Sequence, residues 1–210
     1  MSESTGSGSR WLAALREQDP RLRAQILARF QPWLRLLARL QIDAGWQGKF
    51  DPSDVVQQTL LEACRDLAQF RGQTEPELMA WLRQILAHVL AHEIRRYRGT
   101  EQRDLGREVA LENALAQSSV RLGAILADRG PSPSAQAVAR EEELVLAELL
   151  TRLPEDYREV LVLRNLQELP HEEVARRMNR SVGAVRMLWV RALVRLREMM
   201  VAGSDESASD

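Results

Sequence analysis

Hydrophobic residues recur every three or four positions along most of the chain, which is the period of an amphipathic helix. The segment 75–98 shows this most clearly, because Leu78, Leu82, Ile85 and Val89 form one apolar stripe. Strict alternation of apolar and polar residues, the pattern of a half-buried strand, is not credible anywhere in the sequence. The pattern therefore predicts an all-α protein.

Aspartate and proline mark the start of two helices, since Asp19 and Asp51 are each followed by a proline. Aspartate suits the N-cap of a helix, and proline suits its first turn because the amide hydrogen that proline lacks has no partner there. Pro32 is expected to kink or split the first of these helices, and Gly72 to end the second. With the later striped helix, these segments predict a compact helical domain at residues 10–98.

Apolar residues thin out between 99 and 134, where "DRGPSPS" combines glycine, proline and serine. We interpret this stretch as a flexible linker that holds at most a short helix around 107–117. A second small helical domain is predicted at 135–200. The Ser/Gly-rich start at 1–9 and the acidic tail at 201–210 are expected to be disordered.

The second domain ends in a short helix, a connection of about three residues and a longer helix, within "PHEEVARRMNRSVGAVRMLWVRALVRLR". This is the spacing of a helix-turn-helix. Ala175 is small where two helices cross closely, Asn179 tolerates the left-handed conformation after the first helix, and Ser181 suits the N-cap of the second. Each residue type fits the geometry that the motif needs.

Net charge alone argues against a nucleic-acid partner, because the chain carries only −1. The distribution of charge indicates the opposite, since seven arginines and no acidic residue lie between Val174 and Arg197. A solvated basic helix without a partner is the alternative interpretation of such a run. The surrounding motif favours DNA binding, with the N-terminus of the longer helix in the major groove.

The longer helix has two different sides. Val185, Trp189, Ala192 and Leu196 share one side and are predicted to pack inward. The positions that face outward or flank that side are Arg186, Met187, Val190, Arg191, Val194 and Arg197. The two arginines Arg186 and Arg191 are candidates for base edges or phosphates, and Met187 and Val190 for thymine methyl groups.

The single cysteine, Cys64, cannot form an internal disulfide or a cysteine-based zinc cage. It lies on an apolar helix face and is expected to be a small core residue.

No apolar run approaches the length of a membrane span, and the first residues lack the apolar core of a signal peptide. We expect a cytoplasmic protein that uses no cofactor and no metal.

In chain order, "DPSDVVQQTLLEA", "FRG", "WLRQILAHVLAHEIRRYR" and "LTRLPEDYREVLVLRNLQELPHEEVARRMNRSVGAVRMLWVRALVRLR" resemble the extracytoplasmic-function (ECF, group 4) sigma factors of bacterial RNA polymerase, in the sigma-70 family. The resemblance covers both domains in the right order, with the first matching region 2 and the second region 4. It implies a transcription initiation factor, not an enzyme, that binds core RNA polymerase, directs it to particular promoters and helps to melt them.

The resemblance also implies roles for individual residues. The helix after Asp51 would dock on the clamp coiled coil of the largest polymerase subunit, and the polymerase flap is a further contact. The residues that this places at the polymerase are Asp54, Gln57 and Gln58. Those at the minus-ten element are Phe70, Arg71, Gln73, Thr74, Arg83, His88, Arg95 and Arg96. Those at the minus-thirty-five element are Ser181, Ala184, Arg186, Met187, Val190 and Arg191.

Two regions depart from the family pattern. His88 stands where asparagine is usual and His92 where aspartate is usual, which puts the minus-ten base preference in doubt. On the recognition helix, Met187, Leu188 and Val190 replace the common polar residues. The minus-thirty-five sequence is therefore expected to be unusual and less dependent on side-chain hydrogen bonds.

Other functions fit parts of the sequence. His88 and His92 have the spacing of a metal pair, but Val89 occupies the place of the zincin glutamate and no third ligand is clear. A helix-turn-helix regulator that does not engage polymerase would leave "DPSDVVQQT" unexplained, and a helical adaptor would leave the basic helix without a purpose. The resemblance also allows an anti-sigma factor as a partner, although no residue identifies one.

Overall fold

The computed structural model describes residues 15, 20–42, 51–98, 105–125 and 133–207. Over these residues the chain forms nine α-helices and no strand, so the predicted all-α class is confirmed. The helices are α1 (Pro20–Ala28), α2 (Gln31–Gln41), α3 (Pro52–Asp66), α4 (Glu75–Arg98), α5 (Leu105–Ala124), α6 (Pro133–Arg152), α7 (Glu155–Leu161), α8 (His171–Arg177) and α9 (Val182–Ser207). A 3₁₀ turn (Leu67–Gln69) follows α3, and a π-helical segment (Val162–Leu166) continues α7.

Aspartate and proline set helix starts in the first half of the chain, as predicted. The Asp51 carboxylate accepts a hydrogen bond from the Ser53 amide, with 2.7 Å between Oδ1 and N. This bond stabilises the charged form and lowers the pKa of Asp51. Pro32 lies in the first turn of α2, directly after the break that separates α2 from α1. The split is confirmed, while Asp19 lies outside the described residues.

The chain divides into two compact units, Met1–Gln117 and Ser118–Asp210. In the first unit, α3 packs against α1, α2 and α4. Phe30 and Trp33 are almost wholly buried there and meet edge to face, with ring centroids 6.5 Å apart. Three residues of the α4 stripe, Leu78, Leu82 and Val89, are buried, and the fourth, Ile85, is half-buried. Leu86 and Leu90 of the same helix are also fully buried.

In the second unit, α9 packs against α6, α7 and α8. The core is aliphatic, and its buried residues before α9 include Leu146, Leu150, Leu153, Val160, Leu161, Leu163, Leu166 and Val174. A polar pair is buried beside them, because the Ser119 hydroxyl donates a hydrogen bond to the Glu143 carboxylate. The bond matters because a buried carboxylate without partners is strongly unfavourable.

Helix α5 is longer than the short helix expected around 107–117 within a flexible linker. It has 20 residues and runs across the boundary between the two units. Leu115 and Leu122 are fully buried, so packing stabilises a helix whose apolar density is low. The segments 99–104 and 126–132 of the expected linker lie outside the described residues.

Helix α9 continues to Ser207, into the tail from residue 201 that was expected to be disordered. No proline lies between Val182 and Ser207, so nothing in this stretch removes a hydrogen-bond donor from the helix. The segments 1–9 and 208–210 lie outside the described residues.

Two further predictions concern the burial of Cys64 and the absence of a membrane span. Cys64 is half-buried on α3, and this burial raises the pKa of its thiol. In the part of the chain that the structure describes, no helix is both long and apolar enough to cross a membrane.

Candidate nucleic-acid interface

The turn between α8 and α9 has the geometry predicted from its residues. Asn179 has a positive φ of 51°, the left-handed conformation. The Arg180 amide donates to the Ala175 carbonyl at 2.9 Å, and the Asn179 amide donates to the Arg176 carbonyl at 3.3 Å. These two bonds form a Schellman motif, which satisfies carbonyls that the end of α8 leaves open. Ala175 is buried below this turn, as expected for a small residue at a close helix crossing.

Ser181 starts α9 as its N-cap. Its hydroxyl accepts a hydrogen bond from the Ala184 amide, with 3.2 Å between Oγ and N. The Ser181 carbonyl accepts the first bond of the helix, from the Val185 amide at 3.0 Å. The predicted cap is confirmed, and the first turn of α9 therefore projects from a fixed point.

Three of the four residues predicted to hold α9 are fully buried: Val185, Ala192 and Leu196. The fourth, Trp189, is half-buried at the edge of the same side. Its indole Nε1 donates a hydrogen bond to the Asn165 Oδ1 at 2.9 Å. Asn165 lies in the π-helical segment, whose wider turn carries it towards α9.

Asn165 and His171 both contact Trp189, and neither contact was predicted from the sequence. The His171 ring packs edge to face against Trp189, with centroids 5.7 Å apart. Burial, followed by the charges of Arg164 and Arg186, lowers the pKa of His171. Its Nδ1 is buried and accepts no hydrogen bond from the described residues. A π-helical turn has no hydrophobic signature in the sequence, so nothing in the pattern could have indicated these contacts.

The outward side of α9 carries the residues predicted to meet the minus-thirty-five element. Met187 and Val190 are 56 % and 47 % exposed, although both are apolar. Arg186 and Arg191 are exposed, as are Ser181 and Ala184. Arg186 forms a loose ion pair with Glu172 of α8, with 3.7 Å between Nη2 and Oε1. Such an exposed pair contributes little to stability and can be exchanged for a phosphate.

Three arginines that precede α9 in the basic run have acidic partners outside the run. Arg176 and Arg177 both pair with Glu173, on the same helix. Arg180 of the turn pairs with Asp156 of α7. These pairs tie the arginines of α8 and of the turn to neighbouring carboxylates, although their side chains remain exposed.

In the first unit, one face of α3 carries the three residues assigned to the polymerase. Asp54, Gln57 and Gln58 are all exposed, and the Gln58 Nε2 donates to the Glu62 Oε1 at 2.9 Å. Leu61 continues the same face and is 62 % exposed. Helical spacing could have indicated Leu61, because it lies four residues after Gln57 and three after Gln58.

The loop before α4 is tightly built around Gly72. A Cβ atom at Gly72 would lie 2.3 Å from the Phe70 ring and 2.9 Å from the Glu77 Cβ, so no larger residue fits without movement. The Phe70 ring packs against Trp81, with centroids 5.2 Å apart. Gly72 was expected to end the preceding helix, but α3 already ends at Asp66. The glycine is instead required by the ring that covers it.

Thr74 and Glu77 cap α4 reciprocally. The Glu77 Oε2 accepts hydrogen bonds from the amides of Gln73 and Thr74, at 2.7 and 3.0 Å. The Thr74 hydroxyl accepts a bond from the Glu77 amide at 3.4 Å. These bonds form a capping box and lower the pKa of Glu77. Arg71 and Gln73 are exposed in the same loop.

Acidic residues already occupy much of the α4 surface assigned to the minus-ten element. The Arg95 Nη1 lies 3.2 Å from the Glu108 Oε1, and the His88 Nδ1 lies 3.6 Å from the Glu108 Oε2. The Gln84 Nε2 donates to the Glu112 Oε1 at 3.1 Å. Only 14 % of the Arg95 side chain is exposed. Both carboxylates belong to α5, which therefore meets α4 with negative charge.

Two further arginines of α4 also have neighbours. The Arg83 guanidinium lies 5.8 Å from the ring centroid of Trp33 and is half-buried. Arg96 is exposed and pairs with Glu93, with 2.9 Å between Nη2 and Oε2.

No group of three or more metal-ligating side chains that could hold an ion occurs within the described ranges.

Comparison with known proteins agrees with this geometry. Residues 143–196, which include every position assigned to the minus-thirty-five element, match the family described as sigma-70, region 4. The "ECF RNA polymerase sigma-E factor" of Haemophilus influenzae is 30 % identical over 152 residues, which are 71 % of this chain and 72 % of that protein. The "ECF RNA polymerase sigma factor SigD" of Mycobacterium tuberculosis is 28 % identical over 181 residues, or 86 % and 78 % of the two chains.

A third relative is longer than this chain. The "Probable RNA polymerase sigma factor RfaY" of Xanthomonas campestris is 32 % identical over 155 residues, which are 74 % of this chain but only 35 % of that protein. The relatives that are matched over most of their length are all RNA polymerase sigma factors. The chain therefore belongs to the ECF sigma factors of the sigma-70 family.

Proposed function

We propose that this protein is a transcription initiation factor that binds core RNA polymerase in the cytoplasm and directs it to specific promoters. The observation that carries the proposal is α9, a capped helix whose inner side is buried and whose outer side exposes arginines. A helix held in this way can enter the major groove without any rearrangement of its own unit. Its role is in binding and opening DNA, and no catalytic group is required.

The minus-thirty-five element is the partner of the second unit. Ser181, Ala184, Arg186, Met187, Val190 and Arg191 supply the contacts. Arg186 exchanges Glu172 for a base edge or a phosphate, and Arg191 contacts the DNA on the other flank. Both arginines carry the planar donors that suit guanine edges and phosphates.

The exposed face of α3 is the polymerase contact. Asp54, Gln57 and Gln58 meet the clamp coiled coil of the largest subunit, and Leu61 adds an apolar group at the same face. An exposed leucine among polar residues contributes most when a partner removes it from water. The second unit makes a further contact with the flap, and an anti-sigma factor would act by covering these surfaces.

The minus-ten element is the partner of the first unit. Phe70, Arg71, Gln73 and Thr74 lie in the loop that receives unstacked bases. Unstacking a base costs a few kcal/mol, so the surface must supply both stacking and charge. Arg83, His88, Arg95 and Arg96 supply that charge from α4, and Arg95 does so after Glu108 gives way.

Binding to core polymerase separates this function from that of a regulator that does not engage polymerase. Leu61→Asp should weaken binding of the full chain to the cognate core enzyme at least about tenfold, because a hot-spot residue contributes about 2 kcal/mol or more. Val109→Asp is the matched control, since Val109 is 58 % exposed in the same unit but lies on α5. The absence of any core binding by the unmodified chain would reject the proposal.

A further inference from the structure

The outer side of α9 is apolar along its centre. Gly183, Met187, Val190 and Val194 are spaced four, three and four residues apart, so they fall on one line along the helix, here called the outer stripe. Met187, Val190 and Val194 are 56 %, 47 % and 51 % exposed. The outer stripe lies on the side opposite the buried residues, and no described residue of its own unit covers it.

Arginines flank the outer stripe on both sides. Arg186 lies along one side and Arg191 along the other, and both are exposed. No acidic residue occurs between Val174 and Arg197. A partner of this surface must therefore offer negative charge at two edges and an apolar strip between them. A major groove has this arrangement, with a phosphate strand at each rim and base edges on its floor.

Only one group on the floor of the major groove is apolar, and that is the methyl group of thymine. Every base pair presents donors and acceptors that Met187 and Val190 cannot satisfy, including the O4 of thymine, but only a pair that contains thymine adds a methyl group that they can cover. Covering those polar groups with apolar side chains costs free energy, because their bonds to water are lost and not replaced. A pair that contains thymine offsets this cost through its methyl group, so thymine is favoured over the other bases.

Gly183 adds a second, independent observation. A Cβ atom at this position would meet nothing within 4 Å, so the fold does not require glycine there. In the interior of a helix glycine is less favourable than alanine by roughly 0.5–1 kcal/mol, and nothing in the first turn, where Gly183 lies, makes glycine the better residue. The fold therefore gives no reason for glycine at this position. A close approach of the helix backbone to a ligand would give one, because glycine has no side chain to obstruct it.

We propose that the outer stripe recognises a minus-thirty-five element that contains thymine, by contact with the thymine methyl groups. Met187 and Val190 are the specificity-determining residues, and Gly183 lets the helix backbone lie close to the base edges. The inference rests on the proposed function and deepens it, since it names the chemistry of the sequence that is read. Arg186 and Arg191 flank the outer stripe, and its apolar centre adds the selection of thymine.

The experiment uses the full chain bound to its cognate core polymerase. Duplexes randomised across the upstream promoter element are selected by binding, and each thymine of the selected sites is then replaced singly by deoxyuridine. This replacement removes one methyl group and leaves base pairing unchanged. We expect thymine at the central selected positions, and about fourfold weaker binding for each contacted methyl that is lost, from about 0.8 kcal/mol per buried carbon.

Variants connect the effect to the outer stripe. Met187→Ala and Val190→Ala should each remove the sensitivity to deoxyuridine at one position. Val201→Ala, at a valine further along α9 that is 64 % exposed, should leave the sensitivity intact. Gly183→Ala should weaken binding about tenfold while leaving the melting temperature unchanged or higher.

The outcomes separate this inference from the function on which it rests. Selected sites without central thymines, or sites whose binding ignores deoxyuridine, would overturn the methyl contact and leave a sequence-specific initiation factor. Unchanged binding by Gly183→Ala would overturn the close approach of the backbone. A failure to select any sequence, with core binding intact, would count against the proposed function itself.

Discussion

The two long helices α4 and α9 carry the proposed DNA surfaces of the two units, and they differ in what already covers them. On α9, Met187, Val190 and Arg191 of the outer side are exposed, and Arg186 forms a loose ion pair with Glu172. On α4, Arg95 and His88 face Glu108 of α5, and most of Arg95 is buried. The same residue type therefore differs in availability: Arg186 of α9 is exposed and has a loose acidic partner, whereas Arg95 of α4 is mostly buried beside a closer carboxylate.

The strongest test of this comparison concerns the inner side of α9. Leu196→Ala should lower the free energy of unfolding by about 2–5 kcal/mol, because it opens a cavity at a fully buried position. Val194→Ala, two residues away on the exposed side, should change it by less than about 0.5 kcal/mol. Urea denaturation followed by circular dichroism measures both, and equal losses would show that α9 is not held on one side.

The next largest effect distinguishes two arginines of α9. Arg186→Ala should weaken binding to the selected promoter by about 1–3 kcal/mol relative to unrelated sequences, if it contacts a base edge. Arg195 pairs with Glu198 on the same helix, so Arg195→Ala should have little effect on selection. Competition binding by the holoenzyme measures this ratio. Equal loss on all sequences would reduce Arg186 to a phosphate contact.

A smaller effect is expected where α5 covers α4. Glu108→Gln removes the charge that faces Arg95 and His88, so a single-stranded minus-ten oligonucleotide should bind the holoenzyme about two- to fivefold more tightly, as expected for an ion pair worth at most about 1 kcal/mol. Glu112→Gln is the matched control, because its partner Gln84 is neutral and the hydrogen bond can be kept. Weaker binding by Glu108→Gln would show that Glu108 positions Arg95 for DNA instead of competing with it.

The smallest effect is the pH dependence contributed by His171. Its pKa in the folded protein is lowered, so the unfolded state takes up the proton first as the pH falls. The stability that the neutral ring contributes is complete above about pH 6.5 and declines below it. Arg164, Arg186 and Glu172 are the charged groups beside the ring. His171→Gln should therefore lose less thermal stability than the unmodified chain between pH 7.5 and pH 5, and a constant difference would contradict this role.

The sequence predicted what depends on local residue chemistry. Asp51, Asn179 and Ser181 occupy the caps and the turn expected of them, because each solves a problem set by its own few neighbours. The buried and exposed sides of α9 follow from helical spacing alone. These features require no knowledge of any distant part of the chain.

What the sequence could not predict depends on pairing between distant segments. Glu108 covers Arg95 from a helix whose pattern suggested a linker, and Asn165 reaches Trp189 through a π-helical turn. Gly72 seemed to end a helix, yet a side chain there would meet the Phe70 ring, which packs against Trp81 of α4. In each case a contact from elsewhere in the chain decides the role of the residue.

Run-off transcription tests the central claim most directly. Cognate core polymerase is mixed with the full chain and with templates that carry the selected promoter, and the start sites are mapped with and without the chain. The account predicts initiation at a fixed distance from the selected elements only when the chain is present, and loss of that initiation when the chain carries Arg186→Ala. An absence of chain-dependent initiation on every template, with core binding demonstrated, would contradict it.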